Sequence, residues 1–360
     1  MVRMKIGIFD PYLDTMSGGE KYMLTLGQCL AKEHTVTLFW DIQRKEEIFE
    51  AAKKRFDFDL SPLTITDSIF EGKVALATRL QKSREYDAII VLSDGSIPLV
   101  LCDLIVHFQS PVEWVKTGLK TRLKLSRIKR VICNSEFTKS FIDRKFHCKS
   151  QVIYPPVIIQ GEYSEAEKTN SILNVGRFGI NQAGSSYKKQ DVLAETFKNM
   201  VDQGLTGWEL VFVMSVQEKD IEAAKGFVDA CKGYPIKFSL NPTNDQLWEE
   251  YKKARIYWHA SGFGEDLTSH PDRAEHFGIS TVEAMGMGAV PIVFKAGGQP
   301  EIVVDHVNGR LWQTTEELQA ITTEVINNSK VYATLVEEAI RSVDTFSKES
   351  FCREFTSLLA

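Results

Sequence analysis

The 360-residue sequence has no C-x-x-C pair; its six cysteines, at 29, 102, 133, 148, 231 and 352, are scattered. Zinc sites and disulfide frameworks both expect clustering, so this spacing predicts reduced, largely buried thiols in a cytosolic chain. There is no G-x-G-x-x-G, no G-x-x-x-x-G-K-S/T and no H-E-x-x-H. A dehydrogenase, a phosphate-loop kinase and a zinc hydrolase all lose weight on that ground. The most apolar stretch, 97–108, is short and contains Asp103, so no transmembrane helix is predicted. The start runs directly into a strand-like segment, with no signal-peptide pattern. A net charge of −5 and a pI near 5.9 argue against a nucleic-acid partner.

What is present is ample apolar material, 43% of residues against 25% charged, in a length that predicts roughly two domains. The charge is unevenly spread. Residues 1–157 hold 24 basic and 19 acidic residues, net +5, and the remainder is net −10. The first half is therefore the one suited to an anionic partner.

Short apolar runs alternate with helical patterns throughout, the signature of βαβ units and parallel sheets. Strands are expected at 4–9, 35–40, 88–92, 103–107, 130–133 and 151–153, then at 171–175, 209–214, 236–239, 255–258 and 290–294. Helical patterns fall at 19–31, 188–203, 244–253 and 315–328. Tyr154-Pro155-Pro156 interrupts the pattern and marks a boundary. The prediction is two doubly wound α/β domains, 1–157 and 158–340, followed by a C-terminal helix at 341–360. Such sheets bind ligands beyond the carboxyl ends of their strands.

The richest segment is Glu275-His-Phe-Gly-Ile-Ser-Thr-Val-Glu283. Ser280 and Glu283 form a capping-box pattern, so Glu283 either caps its own helix or serves a ligand. Glu275 has no helical duty five residues before that cap. Phe277, Gly278 and Ile279 present backbone N–H groups at a helix N-terminus, which suits phosphate or sugar hydroxyls. A second such loop, Ala296-Gly-Gly-Gln-Pro300-Glu301, follows the next strand.

Two carboxylates eight apart around H-F-G-I, then E-A-M-x-x-G-x-x-P-I-V and G-G-x-P-E-I-V, resemble the donor site of GT-B glycosyltransferases of the family 4 type. Ser17-Gly18-Gly19-Glu20-Lys21 resembles the glycine loop of that family, and Val152–Val157 its hinge. Asn174-Val-Gly-Arg177-Phe and Lys188-Lys-Gln-Asp-Val-Leu193 resemble its basic pair. The G-G-E-K start and E-H-F-G-I are closest in flavour to mannosyltransferases that extend lipid-linked oligosaccharides.

The resemblance implies a GT-B fold, two Rossmann-like domains facing a cleft, with an N-terminal acceptor domain, a C-terminal donor domain and a terminal helix crossing back to the first. It implies retaining, metal-independent transfer of a hexose from a nucleoside-diphosphate sugar, GDP-mannose or a UDP-sugar, to a glycan or lipid-linked acceptor, with no cofactor beyond the donor. Arg177 and Lys188 would clamp the diphosphate, although adjacent Lys189 competes for that role. Glu283 would take the ribose hydroxyls and Glu275 the transferred sugar. Gly18 and Gly19 would admit the diphosphate from the opposite lip, and His107 would stand near the reacting centre. The ten residues 178–187 and the segment 264–274 exceed the family's usual spacing and suit lids or specificity loops. A sugar-nucleotide epimerase and a non-catalytic sugar-nucleotide binding protein are the alternatives.

The positive charge of the first half is concentrated in residues 116–130, with seven Lys/Arg and no acid. Ser110-Pro111-Val-Glu113 is another capping-box pattern, predicting a helix that places Lys116, Lys120, Lys124 and Arg127 on one face. That face either covers its own sheet or meets an anionic membrane surface, which would make the protein peripheral on the cytoplasmic face of a membrane.

Overall fold

The structure is a computed structural model that describes residues 2–71, 74–118, 121, 124–180 and 186–359. The chain forms two compact units: Met1–Pro156 with Phe346–Ala360, and Val157–Thr345. Each is built on one wholly parallel sheet.

In the first unit the strands are β1 (Lys5–Phe9), β2 (Thr35–Phe39), β3 (Thr64–Thr66), β4 (Ala88–Leu92), β5 (Asp103–Phe108), β6 (Ile128–Cys133) and β7 (Gln151–Val152). Their spatial order is β3-β2-β1-β4-β5-β6-β7. In the second they are β8 (Thr169–Phe178), β9 (Glu209–Val216), β10 (Ile236–Leu240), β11 (Ala254–His259), β12 (Val290–Phe294) and β13 (Arg310–Trp312), ordered β10-β9-β8-β11-β12-β13. The order therefore reverses between β1 and β4 and again between β8 and β11. In doubly wound sheets that reversal opens a crevice at the strands' carboxyl ends.

The helices connecting these strands are α1 (Gly18–Leu30), α2 (Lys45–Phe56), α3 (Leu76–Ser83), α4 (Glu136–Phe146), α5 (Gln190–Asp202), α6 (Ile221–Ala230), α7 (Asn244–Lys253), α8 (Ile279–Gly286), α9 (Gln299–Ile302), α10 (Thr315–Asn327), α11 (Ser329–Ser342) and α12 (Lys348–Leu359). Strand β4, Ala-Ile-Ile-Val-Leu, is buried at all five positions, as a central parallel strand covered on both faces must be. Gly7 on β1 leaves room for Phe39, whose ring would lie 2.4 Å from a Cβ there. In the second unit Trp258 and Trp312 are fully buried, and Trp258 donates its indole N–H to Thr322 Oγ1 on α10 at 3.1 Å. Strands β3 and β13 are three residues each, too short to show a pattern in the sequence.

Three expectations are corrected. First, Cys29 and Cys352 are joined in a disulfide, leaving Cys102, Cys133, Cys148 and Cys231 as free thiols. Their sequence separation of 323 hid the pair, because α12 packs in the first unit beside α1. Phe351 and Phe355 of α12 pack edge-on against Tyr22 of α1, and Lys348 Nζ donates to Gln28 Oε1 at 2.7 Å.

Second, residues 111–118 are not helical. The Glu113 carboxylate is taken by Lys145 Nζ of α4 at 3.2 Å instead of capping, and Val112 is fully buried in the core. Helical backbone occurs only at Thr121, Lys124 and Leu125 among the described residues of that stretch, and Lys120 lies outside them. Third, Arg341 and Ser342, counted above with the C-terminal helix, are the last turn of α11.

A disulfide closing so long a loop is expected to contribute about 2–4 kcal/mol. Cys352→Ser should lower the urea midpoint accordingly, and thiol titration of the unfolded wild type should rise from four to six groups on reduction.

Candidate functional site

In the second unit the carboxyl ends of β8 and β11 bring together side chains far apart in sequence. Lys188, in the turn leading into α5, donates to Glu275 Oε2 at 2.7 Å, and His259 Nε2 at the end of β11 lies 3.0 Å from the same oxygen. The Lys188 stem runs along Gly176, where a Cβ would come within 3.4 Å of Lys188 Cγ. Burial pushes the Glu275 carboxyl up, but the Lys188 charge and the His259 bond outweigh it and hold the group well below the usual carboxylate range. Burial lowers His259, with Glu275 offsetting part of that. The result is a fixed carboxylate with a cation beside it at the sheet's switch point.

The neighbouring lysine is committed elsewhere. Lys189 Nζ meets Glu265 Oε1 at 2.5 Å, both side chains nearly buried, and Arg273 Nη1 meets Glu265 Oε2 at 2.7 Å. Glu265 thus ties the 264–274 loop to Lys189 at the start of α5, and Lys188 is the more exposed of the two lysines. Arg177 is exposed near the end of β8.

The loop before α8 is shaped by two glycine contacts. Gly278, at the N-cap, has φ +123°, and a Cβ there would meet Gln299 Nε2 at 2.5 Å. Gly298 N donates to Glu275 O at 2.8 Å, and a Cβ on Gly297 would lie 2.1 Å from that same carbonyl. Both glycine-containing loops therefore set the backbone that carries Glu275. Helix α8 opens at Ile279, so the N-cap is Gly278 and not Ser280. Ser280 pairs instead with the Tyr257 hydroxyl at 2.8 Å, and Glu283 accepts from the Tyr251 hydroxyl at 2.9 Å. Phe277 is buried, and in the first turn of α8 Thr281 N and Val282 N both donate to Gly278 O, at 3.0 and 3.3 Å.

In the first unit Gly18 and Gly19 are the first two residues of α1, not a loop. Glu20 folds back so that its carboxylate accepts from Ser17 N at 2.6 Å and Thr15 Oγ1 at 2.8 Å. His107, expected near the reacting centre, is 0% exposed and stacked on Tyr22 with ring centroids 4.0 Å apart. Neither of its ring nitrogens has a partner of good hydrogen-bond geometry. His107 is thus enclosed in the first unit, with α12 over Tyr22 and Tyr22 over His107. Two residues on, Gln109 Nε2 bonds Gly19 O at 3.3 Å and occupies the space that a side chain at Gly19 would need. Of the basic set, Lys116 and Arg127 are exposed and Lys124 is half-buried.

The model of the family described as "Glycosyl transferases group 1" matches residues 158–342. The chain belongs to that family. It is a glycosyltransferase of GT-B fold. It is 23% identical to a Dictyostelium discoideum protein named "GDP-Man:Man(3)GlcNAc(2)-PP-Dol alpha-1,2-mannosyltransferase", over 98% of this chain and 83% of that one. Among solved structures it resembles Anabaena HepE in complex with UDP, with TM-score 0.74, 17% identity and 99% of both chains covered. It also resembles the sucrose-phosphate synthase of Thermosynechococcus elongatus, with TM-score 0.70, 16% identity and 99% and 98% covered. No helix among the described residues is long and apolar enough to cross a membrane.

Sequence reasoning missed His259, Glu265, Tyr251 and Gln109. His259 was findable, since it ends a predicted strand on the ligand-binding edge. Glu265 was not, because its partners Lys189 and Arg273 identify it only in three dimensions.

Burial lowers His107 to about 3, with a backbone contact at Ile132 offsetting part of the effect. The unfolded residue takes up a proton near pH 6.5 while the folded one stays neutral, so acidification through that value favours unfolding. The loss is roughly 2 kcal/mol by pH 5. Urea unfolding at pH 7 and pH 5 should show a smaller drop for His107→Phe than for wild type.

Proposed function

We propose that the protein is a retaining, metal-independent hexosyltransferase acting on a nucleoside-diphosphate sugar, with GDP-mannose favoured over a UDP-sugar. The acceptor is a hydroxyl of a glycan or lipid-linked saccharide. The observation that carries this reading is the Glu275 carboxylate held between Lys188 and His259 at the β8/β11 switch point, with Glu283 one helix turn beyond the loop. The name of the Dictyostelium relative supports the choice of donor and lipid-linked acceptor.

The bond from the anomeric carbon to the diphosphate breaks, and one to the acceptor oxygen forms on the same face as that oxygen passes its proton to the departing diphosphate oxygen. Arg177 and Lys188 neutralise the departing diphosphate, the first as a planar fork and the second as a point charge. Donor binding draws Lys188 from Glu275 to phosphate, exchanging one charge-assisted bond for another. Glu275 then accepts from hydroxyls of the transferred sugar while His259 keeps it oriented. The amides at Phe277, Gly278 and Ile279 serve the sugar or phosphate, and Glu283 takes the ribose hydroxyls. These fixed charges stabilise charge that develops only in the transition state.

Nucleotide release from a panel of sugar donors tests the activity, and nucleotide binding without turnover for any donor and acceptor would favour a binding protein instead. Glu283→Ala should weaken donor binding by roughly tenfold or more, the worth of a bidentate carboxylate contact. Glu275→Ala should chiefly lower kcat. The opposite ranking in calorimetry and kinetics refutes these roles.

The basic stretch 116–130 of the first unit, with Lys116 and Arg127 exposed, meets an anionic membrane in this reading, placing the enzyme peripherally beside a lipid-linked acceptor on the cytoplasmic face. Basic residues near such a surface contribute about 1 kcal/mol each. Co-sedimentation with phosphatidylserine vesicles should fall at least about tenfold for the Lys116/Lys120/Lys124/Arg127→Glu variant, and equal binding rejects the membrane role.

A further inference from the structure

The crevice at the switch point of the first sheet holds a second group of side chains that the donor chemistry does not use. Asp10 ends β1, Asp94 follows β4 and Trp114 follows β5, so three adjacent strands deliver them to one edge. Trp114 is 61% exposed and Tyr12 46% exposed. Both lie at the same residue: the Trp114 indole N–H donates to the Asp94 carbonyl at 3.2 Å, and the Asp94 charge acts on the nearby Tyr12 hydroxyl. The turn is fixed by Gly95, at φ +105°, where a Cβ would collide with Val115. The two large rings are thus exposed yet held in place.

Two residues before Tyr12, Asp10 is 2% exposed, and its Oδ1 accepts from Tyr12 N at 2.9 Å. Its Oδ2 is buried with no hydrogen-bond partner. Burial first, and the nearby Glu20 charge second, raise its carboxyl to about 8, so it carries a proton at neutral pH and can donate. An unpaired buried polar atom is costly to maintain and marks a place where a ligand atom fits. Asp14 and Glu71 add negative charge close by, each charge felt by its neighbours. This edge offers carboxylate oxygen beside two aromatic rings. It accepts hydroxyl groups, and its rings offer apolar faces to the C–H side of a pyranose.

We propose that Tyr12, Asp94 and Trp114 form a platform for a neutral sugar residue of the acceptor, stacked on the aromatic rings, with Asp94 accepting from its hydroxyls. The assignment rests on the transferase reading for the word acceptor, while sugar binding at the platform can be measured without turnover.

The test uses the full chain and mannotriose as probe, followed by calorimetry for binding and by transfer kinetics. Trp114→Ala and Tyr12→Ala should each weaken mannotriose binding and raise the acceptor KM by roughly tenfold, while the affinity for nucleoside diphosphate stays within about twofold. Trp114→Phe should retain most of the binding, because a ring face remains. Unchanged mannotriose affinity in both alanine variants overturns the platform. So does unchanged sugar binding with weaker binding to phosphatidylserine vesicles, which would make Trp114 a membrane anchor. If the wild type transfers no sugar from any donor yet binds mannotriose in a Trp114-dependent way, the transferase reading fails and the platform stands.

Discussion

The Glu275 carboxylate is the group on which the rest of the second unit's site depends. A buried anion is tolerated only when it is paired and hydrogen-bonded. Lys188 and His259 meet that requirement from two different connections of the sheet, while the backbone carbonyl of the same residue accepts from Gly298. One residue therefore fixes the turn after β8, the end of β11 and the loop after β12. The same constraint explains why the glycines at 297 and 298 carry no side chain: a Cβ on either would strike the 275–277 backbone.

The first unit solves a different problem. Its switch point carries acidic and aromatic side chains, whereas its excess positive charge lies in the stretch that follows β5. The net +5 of the first 157 residues therefore does not describe the crevice. A sum over a domain hides the sign of its working edge, because field strength falls off within a Debye length of about 8–10 Å.

Much of this was legible in the sequence. The eleven expected strands all lie where parallel strands form, because residues buried on both faces leave runs such as Ala88–Leu92 that need no partner to be recognised. Loops with a local reason for their shape were readable too, as at Gly278 and Gly297. What was not legible depended on contacts between distant segments. The Ser280 and Glu113 capping patterns failed because Tyr257 and Lys145, remote in sequence, compete for those side chains. His107 carries the residue type of a catalytic group, and only the stacking of Tyr22 beneath α12 shows that it is enclosed. The cysteine spacing misled for the same reason, since it assumes that disulfide partners are near in sequence.

The placement of α12 has a consequence for how the molecule is made. The chain leaves the first unit after Pro156 and returns to it only at Phe346. During synthesis the sheet of the first unit can assemble early, but the face of α1 bearing Tyr22 and Cys29 stays uncovered until α12 has emerged. The second unit, continuous in sequence, precedes α12. The first unit is thus closed by a helix translated after the whole of the second.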